Sequence, residues 1–70
     1  MKVYLKRGFV ELYLAKKNLS QNWLASRLGI SSGYMSQLLS GKRNPSPTLR
    51  GRMMDYFKDH DFDQLFEIQR

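Results

Sequence analysis

Apolar side chains along this chain recur every three or four residues, the spacing of amphipathic helices, and strand-like alternation is nowhere sustained. In the first segment, Phe9 and Tyr13 are four residues apart, as are Val10 and Leu14, so each pair shares one helical face. The pattern therefore predicts a first helix over about residues 4–17.

Two shorter helices are predicted next, each preceded by a serine. Ser20 is suited to cap a helix over residues 21–28, and Ser31 to cap one over residues 32–39, because a serine hydroxyl accepts from the first free backbone N–H groups. Gly29 supplies the tight backbone conformation that the turn between them requires.

Two further helices complete the pattern. Ser46-Pro47 predicts the start of a fourth helix that runs to about residue 58, since proline suits the first helical position. Asp61 with Gln64 resembles a capping box before a short fifth helix over about residues 62–68. The expected fold class is therefore all-α, a compact domain of four helices plus one short one.

The length and composition limit what the chain can be. Its 70 residues form one domain, 1–70, and with no cysteine neither disulfides nor a thiolate metal site can hold it together. His60 is the only histidine, so we expect no metal and no cofactor. No apolar run approaches the ~20 residues that cross a bilayer, and we expect a cytoplasmic, nucleoid-associated protein.

The charge is distributed unevenly along the chain. Residues 1–54 carry ten Lys and Arg against the single acid Glu11, a net +9, whereas residues 55–70 carry two cations against five acids, a net −3. A polyanion would be attracted to the first part and repelled by the second. Composition alone leaves a nucleic-acid partner and simple solubility about equally supported.

Residues 21–40 have the pattern of two helices that cross steeply through a short turn. Such a crossing needs a small residue where the helices meet, here Ala25, and a glycine at the corner, here Gly29. Apolar residues are expected around the turn and on the inner face of the second helix, at Leu24, Leu28, Ile30, Met35 and Leu38. The outer face of that helix stays short and polar, as contact with base edges requires.

The same stretch resembles the phage-repressor-like helix-turn-helix family, which includes lambda repressor, Cro and the Xre-type regulators. The resemblance covers about residues 9–66, and the matching segments are Leu19-Ser20-Gln21, Leu24-Ala25, Leu28-Gly29-Ile30-Ser31, Gln37-Leu38 and Gly41-Lys42-Arg43-Asn44-Pro45-Ser46. It implies a five-helix fold in which residues 32–39 form the recognition helix. It also implies sequence-preferring binding of double-stranded DNA by a repressor-like transcriptional regulator.

The resemblance assigns roles to individual residues. The base-facing residues that it implies are Ser32, Gly33, Tyr34, Ser36 and Gln37. The implied contacts to the DNA backbone are Ser20, Gln21, Ser31, Ser40, Lys42, Arg43 and Asn44. Gln37 is the best candidate reader, because glutamine can bond an adenine through two hydrogen bonds. Gly33 departs from the family pattern, which often has a base-reading side chain there, so modest specificity is expected.

Other interpretations remain open. A helix-turn-helix of this kind could be a protein-interaction or antitoxin-like module, although the basic stretch argues against it, and single-stranded RNA binding ranks low. No Ser/His/Asp grouping, phosphate loop or carboxylate pair predicts an enzyme. The fifth helix, with Leu65, Phe66 and Ile68, is the candidate surface of a homodimer, or alternatively it closes the core of the monomer. Trp23 is expected to pack, half buried, over the first and fourth helices.

Overall fold

The computed structural model describes residues 1–70 and combines five helices with one two-stranded sheet. In chain order the elements are β1 (Lys2–Leu5), α1 (Arg7–Lys17), α2 (Gln21–Leu28), α3 (Ser32–Leu39), α4 (Pro47–Tyr56), α5 (Phe62–Leu65) and β2 (Phe66–Gln69). No helix is both long enough and apolar enough to span a bilayer. The predicted five-helix architecture is confirmed, and the sheet is an addition to it.

Three of the helices begin where serines predict. The hydroxyl oxygens of the cap residues accept backbone N–H bonds at 3.0–3.1 Å, in the pairs Ser20 with Trp23, Ser31 with Tyr34 and Ser46 with Leu49. Helices α1 and α2 both end on left-handed residues, Asn18 with φ 56° and Gly29 with φ 74°. The bounds of α2 and α3 therefore agree with prediction.

The two ends of the chain form a two-stranded sheet. Strands β1 and β2 pair antiparallel, with Lys2 opposite Gln69 and Leu5 opposite Phe66. The expectation that strands are absent, and that the outer helices include residues 4–6 and 66–68, was wrong. Each strand has only four residues and finds its hydrogen-bond partner at the far end of the chain, so no local pattern announces either strand.

One core of thirteen buried apolar residues has members in every helix and in both strands. Leu65 is fully buried and Phe66 is 2% exposed, whereas Ile68 is 46% exposed. Leu65 and Phe66 therefore cannot form a dimer surface, and this part of the prediction was wrong. The alternative, that they close the core of the monomer, is the one the structure supports.

An aromatic layer joins α1 to the end of α4. Phe57 meets Tyr13 edge to face with ring centroids 4.8 Å apart, and Phe9 meets Phe57 in the same way at 5.3 Å. Trp23 lies at the margin of this layer, 6.4 Å from the ring of Tyr56. Its exposed fraction is 37%, and this contact agrees with the fourth-helix part of the prediction that it packs over the first and fourth helices.

Candidate nucleic-acid interface

Helix α3 separates its polar and apolar side chains onto two faces. Met35 and Leu38 are fully buried, because they form the inner edge that packs on the core. The predicted base-facing residues Ser32, Gly33, Ser36 and Gln37 are all exposed, and Tyr34 is partly buried. The helix therefore presents a continuous short polar surface to solvent.

The turn between α2 and α3 fixes the orientation of this surface. Ala25 is 1% exposed, and its carbonyl accepts from the backbone N–H of Ile30 at 3.0 Å. On the other side, Nη1 of Arg52 donates to the carbonyl of Leu28 at 3.4 Å, and so provides a partner for one of the carbonyl groups left free at the end of α2. Because Gly29 adopts a positive φ, the chain passes from α2 to α3 through a turn of only three residues, Gly29–Ser31.

The N-termini of α2 and α3 both offer hydrogen-bond donors. Ser20 and Ser31 use their hydroxyl oxygens as acceptors for their own helices, so the hydroxyl protons stay free to donate. The first backbone N–H groups of each helix, including those of Gln21 and Ser32, lack partners inside the helix. Such a combination suits a phosphate oxygen.

The loop after α3 carries two cations held close to the helix. The backbone N–H groups of Lys42 and Arg43 both donate to the carbonyl of Gln37, at 3.0 and 3.2 Å. The guanidinium of Arg43 lies over the ring of Tyr34, 5.8 Å from its centroid. The backbone of both residues and the guanidinium of Arg43 therefore lie next to α3.

Two predicted backbone-contact residues are already engaged within the protein. The Ser40 hydroxyl donates to the carbonyl of Gln37 at 3.1 Å. The Asn44 amide donates to the carbonyl of Val3 at 3.0 Å and so ties the loop to β1. Ser40 would have to give up its bond to donate to phosphate, whereas Asn44 keeps a second amide hydrogen.

A concavity of about 320 Å³ adjoins this surface, between α1 and the α2–α3 pair. We call it the α1–α3 cleft, and it is lined by Arg7, Glu11, Gln21, Ser36, Leu39 and Ser40. Sequence reasoning missed the contribution of α1. The signal was available, because Arg7 and Glu11 are four residues apart and Glu11 is the only acid among the first 54 residues.

A second depression, of about 270 Å³, lies where α1 and α4 end, and Tyr13, Tyr56 and His60 line it with three lysines. The hydroxyls of Tyr13 and Tyr56 are hydrogen-bonded to each other, with their oxygens 3.2 Å apart. Burial, helped by this bond, raises the pKa of Tyr56 to about 12. The Nδ1 atom of His60 is buried without a partner. No group of three His, Cys, Asp or Glu side chains could hold a metal ion.

Comparison with known proteins gives two matches. The model of a family described as a helix-turn-helix domain matches residues 10–58. The chain is also 34% identical, over 65 residues, to the uncharacterized HTH-type transcriptional regulator YvzC of Bacillus subtilis (strain 168). That alignment covers 93% of this chain and 83% of the relative. No solved structure matches.

Proposed function

The chain belongs to the helix-turn-helix domain family, of the Xre and Cro-like kind, and we propose that it is a transcriptional regulator that binds double-stranded DNA with sequence preference. The observation that carries the proposal is the exposed polar face of α3, with free donors at two helix N-termini on one side and Lys42 and Arg43 on the other. A DNA-binding role places the protein in the cytoplasm with the nucleoid.

The helix termini and the loop cations supply affinity in this proposal. Ser20, Gln21 and Ser31 donate to phosphates on one side of the major groove, and Lys42 and Arg43 neutralise phosphates on the other. Each such neutralisation releases condensed counterions, so this part of the affinity falls as salt rises. It carries no sequence information, because all phosphates are alike.

The exposed face of α3 supplies sequence preference. Gln37 reads an adenine through its amide, and Ser32 and Ser36 make shorter contacts from the preceding turns. Gly33 has no side chain and makes no direct reading contact, so a closely approaching backbone and the shape of the groove take its place. Tyr34, whose ring lies under the guanidinium of Arg43, is the remaining base-facing residue in this proposal.

Selection from a random duplex library, repeated at two salt concentrations, tests the proposal first. Enrichment of a defined motif is the expected result, and two-fold symmetry in that motif would indicate that two copies bind together. Absence of retention even at low salt would contradict DNA binding and favour a protein partner for the same helix pair.

Two substitutions then separate reading from affinity. Gln37→Ala should weaken the selected site by about 1–3 kcal/mol and relax one base position. Lys42→Ala should weaken selected and random duplexes alike and lower the salt slope by about one. Gln69→Ala and Lys17→Ala are matched controls, because both residues are exposed and lie outside the proposed surface. Equal effects of Gln37→Ala on all sequences would contradict its reading role.

A further inference from the structure

We propose that the α1–α3 cleft is the seat of one DNA backbone phosphate, held by Arg7, and that Glu11 in the same cleft limits the affinity for DNA. This inference rests on the proposed DNA binding and extends the contact surface to α1. It assigns opposite effects to two neighbouring side chains, so it can fail while the rest of the surface stands.

The cleft has the composition of a phosphate site on the DNA-facing side. Ser36 belongs to the exposed face of α3, and Gln21 opens α2, so the cleft continues the surface already described. Arg7 brings a guanidinium whose planar donors match two phosphate oxygens, and the amide of Gln21 adds a neutral donor. Leu39 forms an apolar wall and offers no competing charge.

Helix α1 begins in a way that costs it local stability. Lys6 is the N-cap and makes no side-chain cap bond, Arg7 is the first helical residue, and the first turn contains no acid. Cations at a helix N-terminus oppose the helix dipole, where Asp or Glu would stabilise. Residues that break a local rule in this way are expected where function requires them. A phosphate bound by Arg7 would supply the missing negative charge.

In the absence of DNA, the carboxylate of Glu11 supplies the negative charge beside Arg7. It is paired with Arg7 in one turn of α1, and the two side chains are 54% and 68% exposed. An exposed pair of this kind is weak, and the order with Arg before Glu is the less favourable one. A phosphate can therefore displace the carboxylate from the guanidinium. The carboxylate stays close to the bound phosphate and repels it.

The consequence is that Glu11 lowers the affinity for DNA whatever the base sequence. A repulsion acting on a backbone phosphate weakens the selected and the random duplex by the same factor. Binding to arbitrary DNA is then held low, and the choice of site is left to the contacts of α3. Glu11 is suited to this role because it is the only acid that lines the cleft.

Binding of the selected and random duplexes to Glu11→Gln and Arg7→Gln tests the proposal. Glu11→Gln should tighten both complexes by about threefold to tenfold at low salt, as removal of a unit negative charge close to a phosphate implies. Arg7→Gln should weaken both and lower the salt slope by about one. Asp59→Asn is the matched control: it makes the same charge change at the other end of α1 and should alter affinity far less.

The position of the phosphate can be tested directly. A duplex series in which single phosphates are replaced by neutral methylphosphonates should contain one position at which the gain from Glu11→Gln disappears. At that same position, the loss from Arg7→Gln should disappear as well. A gain that survives at every position would overturn the assignment of a single seat, because it would show a diffuse charge effect.

The outcomes separate this proposal from the previous one. If Gln37→Ala and Lys42→Ala weaken binding while folded Glu11→Gln and Arg7→Gln proteins bind as the wild type does, the cleft is wrong and the DNA surface stands. If the wild type binds no duplex at low salt, both proposals fail. Circular dichroism melting curves establish that each variant is folded.

Discussion

Single polar side chains on the proposed DNA-binding surface differ in how much of their hydrogen-bonding capacity is free. Ser20 and Ser31 accept bonds from their helices and keep a proton to donate, whereas Ser40 donates its proton to Gln37. All three were predicted from sequence as backbone contacts, and their contacts with DNA stay predictions. The sequence could not reveal the bond of Asn44 to Val3, because its partner lies 41 residues away.

The Tyr13–Tyr56 pair gives a prediction at this scale. Since burial raises the pKa of Tyr56 to about 12, the folded protein holds this proton more tightly than the unfolded chain, whose value is near 10.0. The resulting contribution to stability is complete below pH 10 and is lost as pH rises through about 12. Ultraviolet absorbance of tyrosinate against pH should show a late transition that is missing in Tyr56→Phe.

Tyr13→Phe is the informative variant for that titration. It removes the hydrogen bond and the nearby hydroxyl charge, both of which raise the pKa of Tyr56, and leaves most of the burial in place. The late transition should move to lower pH and remain above the ordinary tyrosine range. An unchanged transition would show that the bond does not contribute.

At the scale of elements, boundaries with local causes were predictable and those with distant causes were not. The starts of α2, α3 and α4 follow from serine caps three residues before the N–H groups that they accept. The start of α1 and the end of α5 depend on strand pairing between the chain ends. The spacing of Arg7 and Glu11 is visible in the sequence, but the cleft that they line together with α2 and α3 is not, because it depends on the packing angle between helices.

Two glycines in this part of the chain should respond to alanine in opposite directions. Gly29 has φ +74°, and an added Cβ would lie 3.4 Å from Nη1 of Arg52, so Gly29→Ala should cost about 1 kcal/mol or more. Gly51 lies within α4 with nothing near the added Cβ, so Gly51→Ala should stabilise by about 0.5–1 kcal/mol. Urea unfolding measures both, and a shift in the same direction would contradict the assignment.

At the scale of the whole molecule, the two-stranded sheet of β1 and β2 covers the part of the core that the helices leave open. The family model matches residues 10–58, which include neither strand, yet Leu5 and Phe66 are part of the buried core. The sequence predicted that Phe66 is buried by packing, and it left open whether that packing is against a second copy or against the core of the same chain. Only the pairing of distant segments decides between these, and no local pattern contains that information.

Substitutions along β2 test this closing role. Phe66→Ala should cost about 3–5 kcal/mol, because it empties a large fully packed site in a small domain. Ile68→Ala lies on the same face of the strand but is 46% exposed, so it should cost far less. Thermal and urea unfolding compare the two variants. Equal losses in the free energy of unfolding would show that the inner end of the two-stranded sheet is not part of the core.

The direction of the strand pair also determines how the domain responds to mechanical force. Lys2 and Gln69 face each other at the open end of the ladder, and Leu5 and Phe66 face each other at the inner end. Tension applied at these two ends loads the hydrogen bonds one pair at a time, as in a zipper, and never all together as in shear. The molecule therefore yields to pulling at low force until the break reaches the buried Leu5–Phe66 pair, however well its core resists heat.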